Sequence, residues 1–355
     1  KPVIVKAPGL VAPDFTWETV TQMDFGFDAS FLNNRLTGTF DWYRRNTKDM
    51  LVAGATLPAT LGASVPKSNS ADMKTIGWEL SLGWNDRLEN GFSYWVKGVL
   101  SDYQATITKY AGNDAGFYSQ SDGDGKYYVG QKIGEIWGYH SNGLFQSDDE
   151  AATIDQSELY AGKWGAGDVK YEDLDNDGKI TKGEETIYNP GDKSIIGNKT
   201  PRYQFGITIG FDYKNFDFEM FWQGTGKRDY MLSGAQFWGF TSQWDVPYTP
   251  ALDYWTETNT DAYFPRPGWQ NGGNRVTSDR YLQSAAYGRL KNLTVGYTIP
   301  KNLTTKWGIS RLRLYVTGEN LLTITPLNDA FDPETLRGMT YPINRKVAIG
   351  LNLTL

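Results

Sequence analysis

The chain ends in the stretch NRKVAIGLNLTL, residues 344–355. Apolar side chains occupy every odd position from Val347 to Leu355, and small or polar side chains occupy the even positions between them. Because successive side chains of a β-strand point to opposite faces, this stretch predicts a strand with one apolar and one polar face. A tilted strand of about 9–11 residues is long enough to cross a bilayer.

The same alternation recurs along the chain and predicts about nine strands. Asn33-Asn34 supplies a tight turn between the first two strands, because asparagine tolerates positive φ. The predicted strands cover residues 22–31, 35–42, 76–84, 92–105, 203–213, 216–223, 293–299, 311–319 and 347–355. Their connections are alternately short, near residues 33, 88, 214 and 305, and long, near residues 62, 153, 257 and 333.

Short turns at one end of the strands and long loops at the other are typical of bacterial outer-membrane barrels. The sequence therefore predicts an all-β fold, an antiparallel transmembrane β-barrel with long extracellular loops at about 106–201 and 228–286 and a shorter one at 52–72. Ser147 and Glu150 have capping-box spacing, which predicts a short helix inside the first long loop. A large soluble β-sandwich would also alternate, but it requires neither aromatic strand ends nor long loops on one side only.

The composition agrees with a barrel. Hydrophobic residues make up 39% of the 355 residues while aromatic residues reach 15%, and a barrel needs apolar side chains only at alternate positions, with aromatic girdles at both interfaces. No run of about 18 apolar residues predicts a membrane helix. The chain has no cysteine, which excludes disulfides and thiolate metal sites, and its net charge of −6 argues against nucleic-acid binding.

The stretch DLDNDGKITKGE, residues 173–184, matches the EF-hand calcium loop at each anchor position. Gly178 would make the sharp bend. No long amphipathic helices flank the stretch, so it predicts a single structural Ca²⁺ that fixes the first long loop and not a paired sensor; the alternative is an acidic, solvated turn. The predicted ligands are the carboxylates of Asp173, Asp175, Asp177 and Glu184 and the backbone carbonyl of Lys179.

No sequence motif points to an enzyme. His140 is the only histidine, so a catalytic triad with an imidazole base would have to use it, but no nucleophile motif lies nearby and an ordinary loop residue is favoured. The acidic residues from Asp148 to Glu150 favour the start of a helix over a pair of glycosidase carboxylates.

The last third of the chain contains a succession of short stretches: SDRYL 278–282, AYGRLKNLTVGYTIP 286–300, GENLLTI 318–324, DPE 332–334, YP 341–342 and VAIGLN 347–352. This succession resembles the C-terminal barrel region of SusC/RagA-type TonB-dependent outer-membrane importers. Earlier stretches agree, at residues 17–19, 41–51, 134–139 and 198–201, so the resemblance covers nearly the whole chain, and it is most specific from Arg289 to Pro300. It departs from the family at Ala286, where serine or a similar residue is usual, and at Leu355, where an aromatic residue is usual.

The resemblance implies a 22-stranded barrel filled by an N-terminal plug, which imports glycan fragments, peptides or other large nutrients across the bacterial outer membrane. It also implies a SusD-like surface lipoprotein as a lid, and TonB as the partner that acts on the plug. The chain begins at Lys1 without a signal peptide, and the strand count would start it in an outer loop. We therefore expect residues 1–355 to be the C-terminal part of one barrel domain, with the plug, the TonB box and the first strands outside them.

Two other functions fit the same pattern. One is a passive porin-like barrel, and the other is a secreted calcium-dependent β-sheet protein that binds carbohydrate. The aromatic residues of the loops could stack on sugar rings, contact the lid or simply pack the loops together. The candidates for ligand or lid contacts are Trp137, Trp164, Trp238, Trp244 and Trp255. Arg311, Arg313 and Glu319 lie on the polar face of a strand and would line the lumen or contact the plug.

Overall fold

The computed structural model describes residues 10–13, 15–53, 60, 66–111, 113, 116–117, 127–268, 270–336 and 341–355. Within these residues, no helix has the length and hydrophobicity of a membrane span. The strands, numbered in chain order, are β1 (Thr19–Phe31), β2 (Leu36–Ala53), β3 (Lys67–Arg87), β4 (Ser93–Tyr110), β5 (Glu135–Tyr139), β6 (Ser141–Leu144), β7 (Val169–Tyr171), β8 (Lys193–Asn198), β9 (Arg202–Tyr213), β10 (Phe216–Lys227), β11 (Asp229–Met231), β12 (Leu282–Ser284), β13 (Tyr287–Thr298), β14 (Arg311–Ile324) and β15 (Lys346–Thr354). The helices are single turns, α1 (Asp148–Ala151), α2 (Ala235–Trp238) and α3 (Lys301–Thr304), with 3₁₀ turns at Thr249–Leu252, Gly272–Arg275 and Thr305–Trp307.

Nine long strands form one sheet in the order β1-β2-β3-β4-β9-β10-β13-β14-β15. Every neighbouring pair is antiparallel. This confirms the antiparallel sheet with its alternating short and long connections. The first turn contains Asn33 and Asn34 with φ values of 56° and 66°, as the two asparagines predicted.

The strand register aligns the apolar residues of neighbouring strands on one side of the sheet, which we call the apolar face. Its residues in the rows below are exposed or partly exposed: Ile349 is 83% exposed, and no second sheet covers it within the described residues. The β-sandwich alternative is therefore wrong, since it would bury these side chains. Two adjacent rows are Phe211–Phe218–Val295–Val316–Ile349 and Tyr213–Phe216–Tyr297–Leu314–Leu351.

Aromatic residues mark the lower edge of the apolar face, next to the short turns. Phe216 and Tyr297 lie 4.8 Å apart between ring centroids, and Trp84 Nε1 donates to Tyr94 Oη at 3.2 Å. The distance along β9 from Tyr213 to an upper aromatic residue, Tyr203, is about 33 Å at ~3.3 Å per residue. With a strand tilt of about 40°, this corresponds to the ~25 Å apolar band of outer-membrane barrels.

The other side of the sheet, the polar face, combines glycines with large side chains. The ring of Tyr315 lies over Gly350, and a Cβ at Gly350 would collide with that ring. The guanidinium of Arg313 forms an ion pair with Asp217 and lies 4.8 Å from the centroid of the Tyr315 ring. A face of this kind suits a lumen or the surface of a plug, because its charges are paired within the sheet.

The strands extend beyond the residues that alternation identified. The predicted bounds of the loop at 52–72 are wrong at both ends, because β2 continues to Ala53 and β3 begins at Lys67. Likewise, β4 runs to Tyr110, so the first long loop begins after residue 110 and not at residue 106. Alternation of apolar and polar side chains is required only where one face of a strand contacts lipid. Paired strands that extend above the bilayer keep their backbone hydrogen bonds but need no apolar face, so the sequence pattern does not reveal them. The loop 228–286 lies between β10 and β13 as predicted.

The long loops fold onto one another around a shared hydrophobic cluster. Val169, Tyr171 and Ile180 come from the first loop, whereas Phe237 and Tyr281 come from the second, and all five are fully buried. We call this packed region, residues 127–201, 228–286 and 325–336, the outer cap. The predicted helix is present as α1, with Ser147 Oγ accepting from the Glu150 N–H at 3.0 Å.

Candidate functional site

The outer cap holds most of the candidate functional residues, and an aromatic cluster organises it. Phe237 lies at its centre, with T-shaped contacts to Phe264 at 5.2 Å and to Tyr281 at 6.3 Å between ring centroids. Phe331, from the third long loop, makes another T-shaped contact with Phe237 at 6.3 Å. Such contacts add stabilisation beyond the buried area, so this cluster gives the cap a fixed shape.

Most of the candidate tryptophans pack inside the cap. Trp255 is only 8% exposed, and its ring covers Gly167 so closely that a Cβ there would collide with it. Three others are half-buried against neighbouring groups. Trp137 stacks on Phe117 at 4.2 Å, Trp164 donates Nε1 to the Tyr160 carbonyl at 3.0 Å, and Trp238 packs edge-on against Tyr281 at 4.6 Å.

Trp244 differs from these four because it is 83% exposed. Val246, Tyr248 and Leu252, in the same part of the second loop, are also exposed. The sequence analysis treated all five tryptophans alike, whereas in the structure Trp244 is by far the most exposed of them.

The predicted calcium ligands come together in part. One carboxylate oxygen each from Asp173, Asp175 and Asp177 lie within 4.8 Å of one another. Glu184 does not belong to this group; its side chain is exposed, and its N–H donates to the Asn189 carbonyl at 3.0 Å. The geometry therefore provides three carboxylates, and Glu184 would have to move to become a ligand.

Backbone N–H groups shape the acidic loop. The N–H groups of Asn176 and Gly178 donate to the Asp173 carboxylate at 2.6 and 2.8 Å, and Gly178 has a φ of +85°, which favours glycine. Partial desolvation raises the pKa of Asp173, but the N–H groups of Gly178, Asn176 and Asp177 together hold it below its usual value.

The electrostatics of this loop suit a cation. Partial desolvation is the main cause that raises the pKa of Asp175, and the carboxylates of Asp177, Asp192 and Asp173 raise it further, against the lowering effect of the Asp177 N–H. Desolvation and the neighbouring carboxylates both disfavour the ionised form of Asp175, and a bound cation would offset the repulsion between the carboxylates.

A buried carboxylate that the sequence analysis missed accepts hydrogen bonds from both ends of the acidic loop. Asp192 is fully buried and accepts from the N–H of Leu174 at 2.7 Å and from that of Thr181 at 2.6 Å. Next to it, Ile180 is fully buried in the hydrophobic cluster, and its N–H donates to the Asp155 carbonyl at 2.7 Å. The acidic loop is thus fixed to the cap at both ends.

The only histidine has partners that the sequence did not indicate. His140 Nδ1 is 2.8 Å from Asp279 Oδ2, and His140 Nε2 is 2.6 Å from Ser194 Oγ. Asp279 comes from the second long loop, so no local motif could have revealed the contact.

Two of the three polar-face candidates, Arg313 and Glu319, form ion pairs. Arg313 pairs with Asp217, and Glu319 pairs with Lys346 at 3.5 Å. Arg311 lines a crevice of about 560 Å³ on the polar face near the short turns, together with Arg313 and Glu219.

Comparisons with known proteins agree with this architecture. A family model described as "TonB dependent receptor-like, beta-barrel" matches residues 6–321. The chain is 30% identical to "TonB-dependent receptor P3" of Formosa agariphila over 380 residues, which cover 97% of this chain and 35% of that protein. It is 26% identical to "TonB-dependent receptor SusC" of Bacteroides thetaiotaomicron over 344 residues, covering 95% of this chain and 32% of SusC.

Among solved structures, the chain resembles "Structure of the RagAB peptide transporter" with a TM-score of 0.72 and 22% identity, covering 96% of this chain and 36% of that one. The "Structure of the RagAB peptide importer in the 'open-open' state" gives a TM-score of 0.71 at 21% identity, covering 97% of this chain and 35% of that one. At these identities the likeness shows the fold. The chain spans about a third of the length of the curated relatives, which are named as receptors and not as enzymes.

Proposed function

The chain belongs to the TonB dependent receptor-like β-barrel family, outer-membrane proteins of the SusC/RagA type, and from this premise we propose that it serves the import of a large nutrient. The cargo would be glycan fragments or peptides, with a SusD-like lipoprotein as the lid and TonB as the source of mechanical work. This import is an activity of a whole receptor, to which residues 1–355 contribute barrel strands and outer loops.

The observation that carries the proposal is the two-faced sheet. Its apolar face has the height of a bilayer, and its polar face has paired charges such as Arg313–Asp217 that suit a lumen. A secreted carbohydrate-binding protein would not expose such a band. A passive porin would share the band, and dependence on energy separates it from an importer.

The outer cap is the part that would meet cargo and lid. It lies at the long-loop end of the strands, and its aromatic cluster is packed, which favours a fixed receiving surface. Trp244 provides an exposed aromatic face there, which could stack on a sugar ring or insert into a partner.

The test is uptake by cells that carry the full receptor. We expect accumulation of fluorescent oligosaccharides or peptides of the receptor's nutrient class, abolished by a protonophore and by loss of TonB. We expect Trp244→Ala to lower uptake several-fold without changing the thermal stability of the receptor, because its side chain has few contacts to lose. Uptake that persists without TonB would indicate a passive porin instead.

Trp255→Ala provides the matched control. Its side chain is buried in the cap, so the substitution leaves a cavity that should destabilise the cap by ~3–5 kcal/mol. A stability loss for Trp255→Ala and none for Trp244→Ala separates packing from contact. Unchanged uptake with Trp244→Ala would remove this residue from the proposed surface.

We further propose that residues 173–184 hold a structural Ca²⁺. Asp173, Asp175 and Asp177 would supply carboxylate oxygens and Lys179 a backbone carbonyl, and Glu184 would reach the ion after a local change of the exposed segment. The support is the clustering of the three carboxylates and the loop's attachment through Asp192. Calcium would neutralise the clustered charge and fix the first long loop.

Removal of calcium should expose the first long loop to proteases. We expect a chelator to accelerate cleavage within residues 127–201, and we expect Asp175→Asn to weaken calcium binding about tenfold or more, because it removes a charged ligand. Asp149→Asn is the control, an exposed carboxylate of α1 outside the calcium loop. Identical cleavage with and without chelator would contradict the proposal.

A further inference from the structure

The cluster of Ser194, His140 and Asp279 is arranged like a nucleophile, a base and an orienting carboxylate, in that order. His140 Nε2 lies 2.6 Å from Ser194 Oγ, and His140 Nδ1 lies 2.8 Å from Asp279 Oδ2. The second oxygen of Asp279 accepts from the Ser141 N–H at 2.9 Å. The carboxylate is thus held by two contacts, and each ring nitrogen of His140 has one partner.

Backbone pairing fixes the three residues relative to one another. In the β5–β8 ladder, Gly138 pairs with Ser194, which places this serine beside the end of β5 and next to His140. The segment before Asp279 also bonds to the end of β5, where the Tyr139 N–H donates to the Thr277 carbonyl at 2.9 Å. The Asp279 N–H returns to the Tyr139 carbonyl at 3.1 Å.

The cluster is open to solvent. The side chain of His140 is 33% exposed and that of Asp279 is 40% exposed, and Ser194 is half-buried. A buried polar network would serve packing alone, whereas the side chains of His140 and Asp279 are in contact with water.

We propose that Ser194, His140 and Asp279 form an activated-serine site on the outer cap that reacts with carboxylic esters. Ser194 Oγ would attack the ester carbonyl while its proton moves to His140 Nε2. The same proton would then pass to the departing alkoxide as the C–O bond breaks, which leaves an acyl-serine and a free alcohol. A water molecule would cleave the acyl-serine by the reverse proton path and restore the serine and a carboxylic acid.

Each residue has a distinct role in this chemistry. Ser194 is the nucleophile and His140 the base, whereas Asp279 is a positioning residue that keeps the Nδ1–H of His140 as donor and leaves Nε2 free to accept. The backbone of the site adjoins the acidic loop, because the Glu172 N–H donates to the His140 carbonyl at 2.9 Å, but none of the three side chains is a proposed calcium ligand. The site therefore adds an activity to the proposed import.

The experiment is active-site labelling of the full chain in detergent with a fluorophosphonate, located by peptide mass spectrometry. Displacement of fluoride by the serine oxygen requires the same activated hydroxyl. We expect Ser194 to be labelled at least about tenfold faster than any other serine, and His140→Ala to lower that rate ~100-fold, since a general base contributes this much. Imidazole added to His140→Ala should restore part of the rate, which no structural role of His140 would predict.

Two further variants complete the test. Asp279→Asn should slow labelling of Ser194, and Asp279→Glu should retain more of it. Ser194→Ala should lose the labelled peptide while the digestion pattern of the cap is unchanged. Labelling of Ser194 no faster than that of other serines in the unmodified chain would overturn the proposal, whatever the folding of the variants. The cluster would then serve only to hold two loops together.

Discussion

Replacing Leu293 by lysine is expected to lower the free energy of unfolding from a lipid bilayer by about 2–4 kcal/mol. Leu293 lies on the apolar face of β13, opposite Met220 on β10 and Gly318 on β14. It is also near the middle of the band, well above the aromatic residues Phe216 and Tyr297. A lysine there would place a charge among acyl chains, where the penalty is largest.

The adjacent residue, Thr294, supplies the matched control. It points to the polar face, where its neighbours are Glu219 and Thr317, so a lysine would remain hydrated and close to a carboxylate. We expect Thr294→Lys to change stability by no more than ~0.5 kcal/mol. Both values can be read from guanidinium titrations of the receptor refolded into vesicles, and equal effects at the two positions would contradict the assignment of the faces.

Replacing Arg289 by alanine should cost about 3 kcal/mol, at the lower end of the range for breaking a buried ion pair. Arg289 is 3% exposed, and it pairs with Asp332 at 2.6 Å and with Glu334 at 2.9 Å. Its Nε also donates to Thr323 Oγ1 at 2.8 Å. The substitution would leave two carboxylates without this partner, and their partial exposure to water limits the penalty.

The effect should concentrate on the third long loop, because Asp332 and Glu334 belong to the segment that buries Phe331 in the cap. We expect faster hydrogen exchange in residues 325–336 of Arg289→Ala. Lys291→Ala is the control, since the pair of Lys291 with Glu334 at 3.2 Å is more exposed and should contribute under ~1 kcal/mol. Unchanged exchange in this loop would show that Arg289 does not anchor it.

The sequence predicted the parts of the fold where lipid imposes alternation. The C-terminal strand is an example, with β15 covering Lys346–Thr354, and the hairpin from Tyr203 through the turn at Lys214-Asn215 is another. The prediction failed at residues 52–53 and 67–72, which belong to β2 and β3, because neither face of a ladder above the bilayer has to be apolar.

The candidate site was predicted only where its residues are local in sequence. The three aspartates of the acidic loop are close in sequence and meet in space. The environment of His140 depends on Asp279, 139 residues away, and the burial of Trp255 depends on how three loops pack. Such contacts arise from tertiary structure and have no periodic signal.

Spin labels on the two faces of β13 test the central claim most directly. The chain has no cysteine of its own, so Leu293→Cys and Thr294→Cys can each carry one nitroxide within it. In vesicles, we expect the label at residue 293 to collide readily with oxygen and poorly with a water-soluble nickel complex, and the label at residue 294 to show the opposite preference. An immobile label at residue 293, shielded from both reagents, would mean that another protein layer and not lipid covers the apolar face.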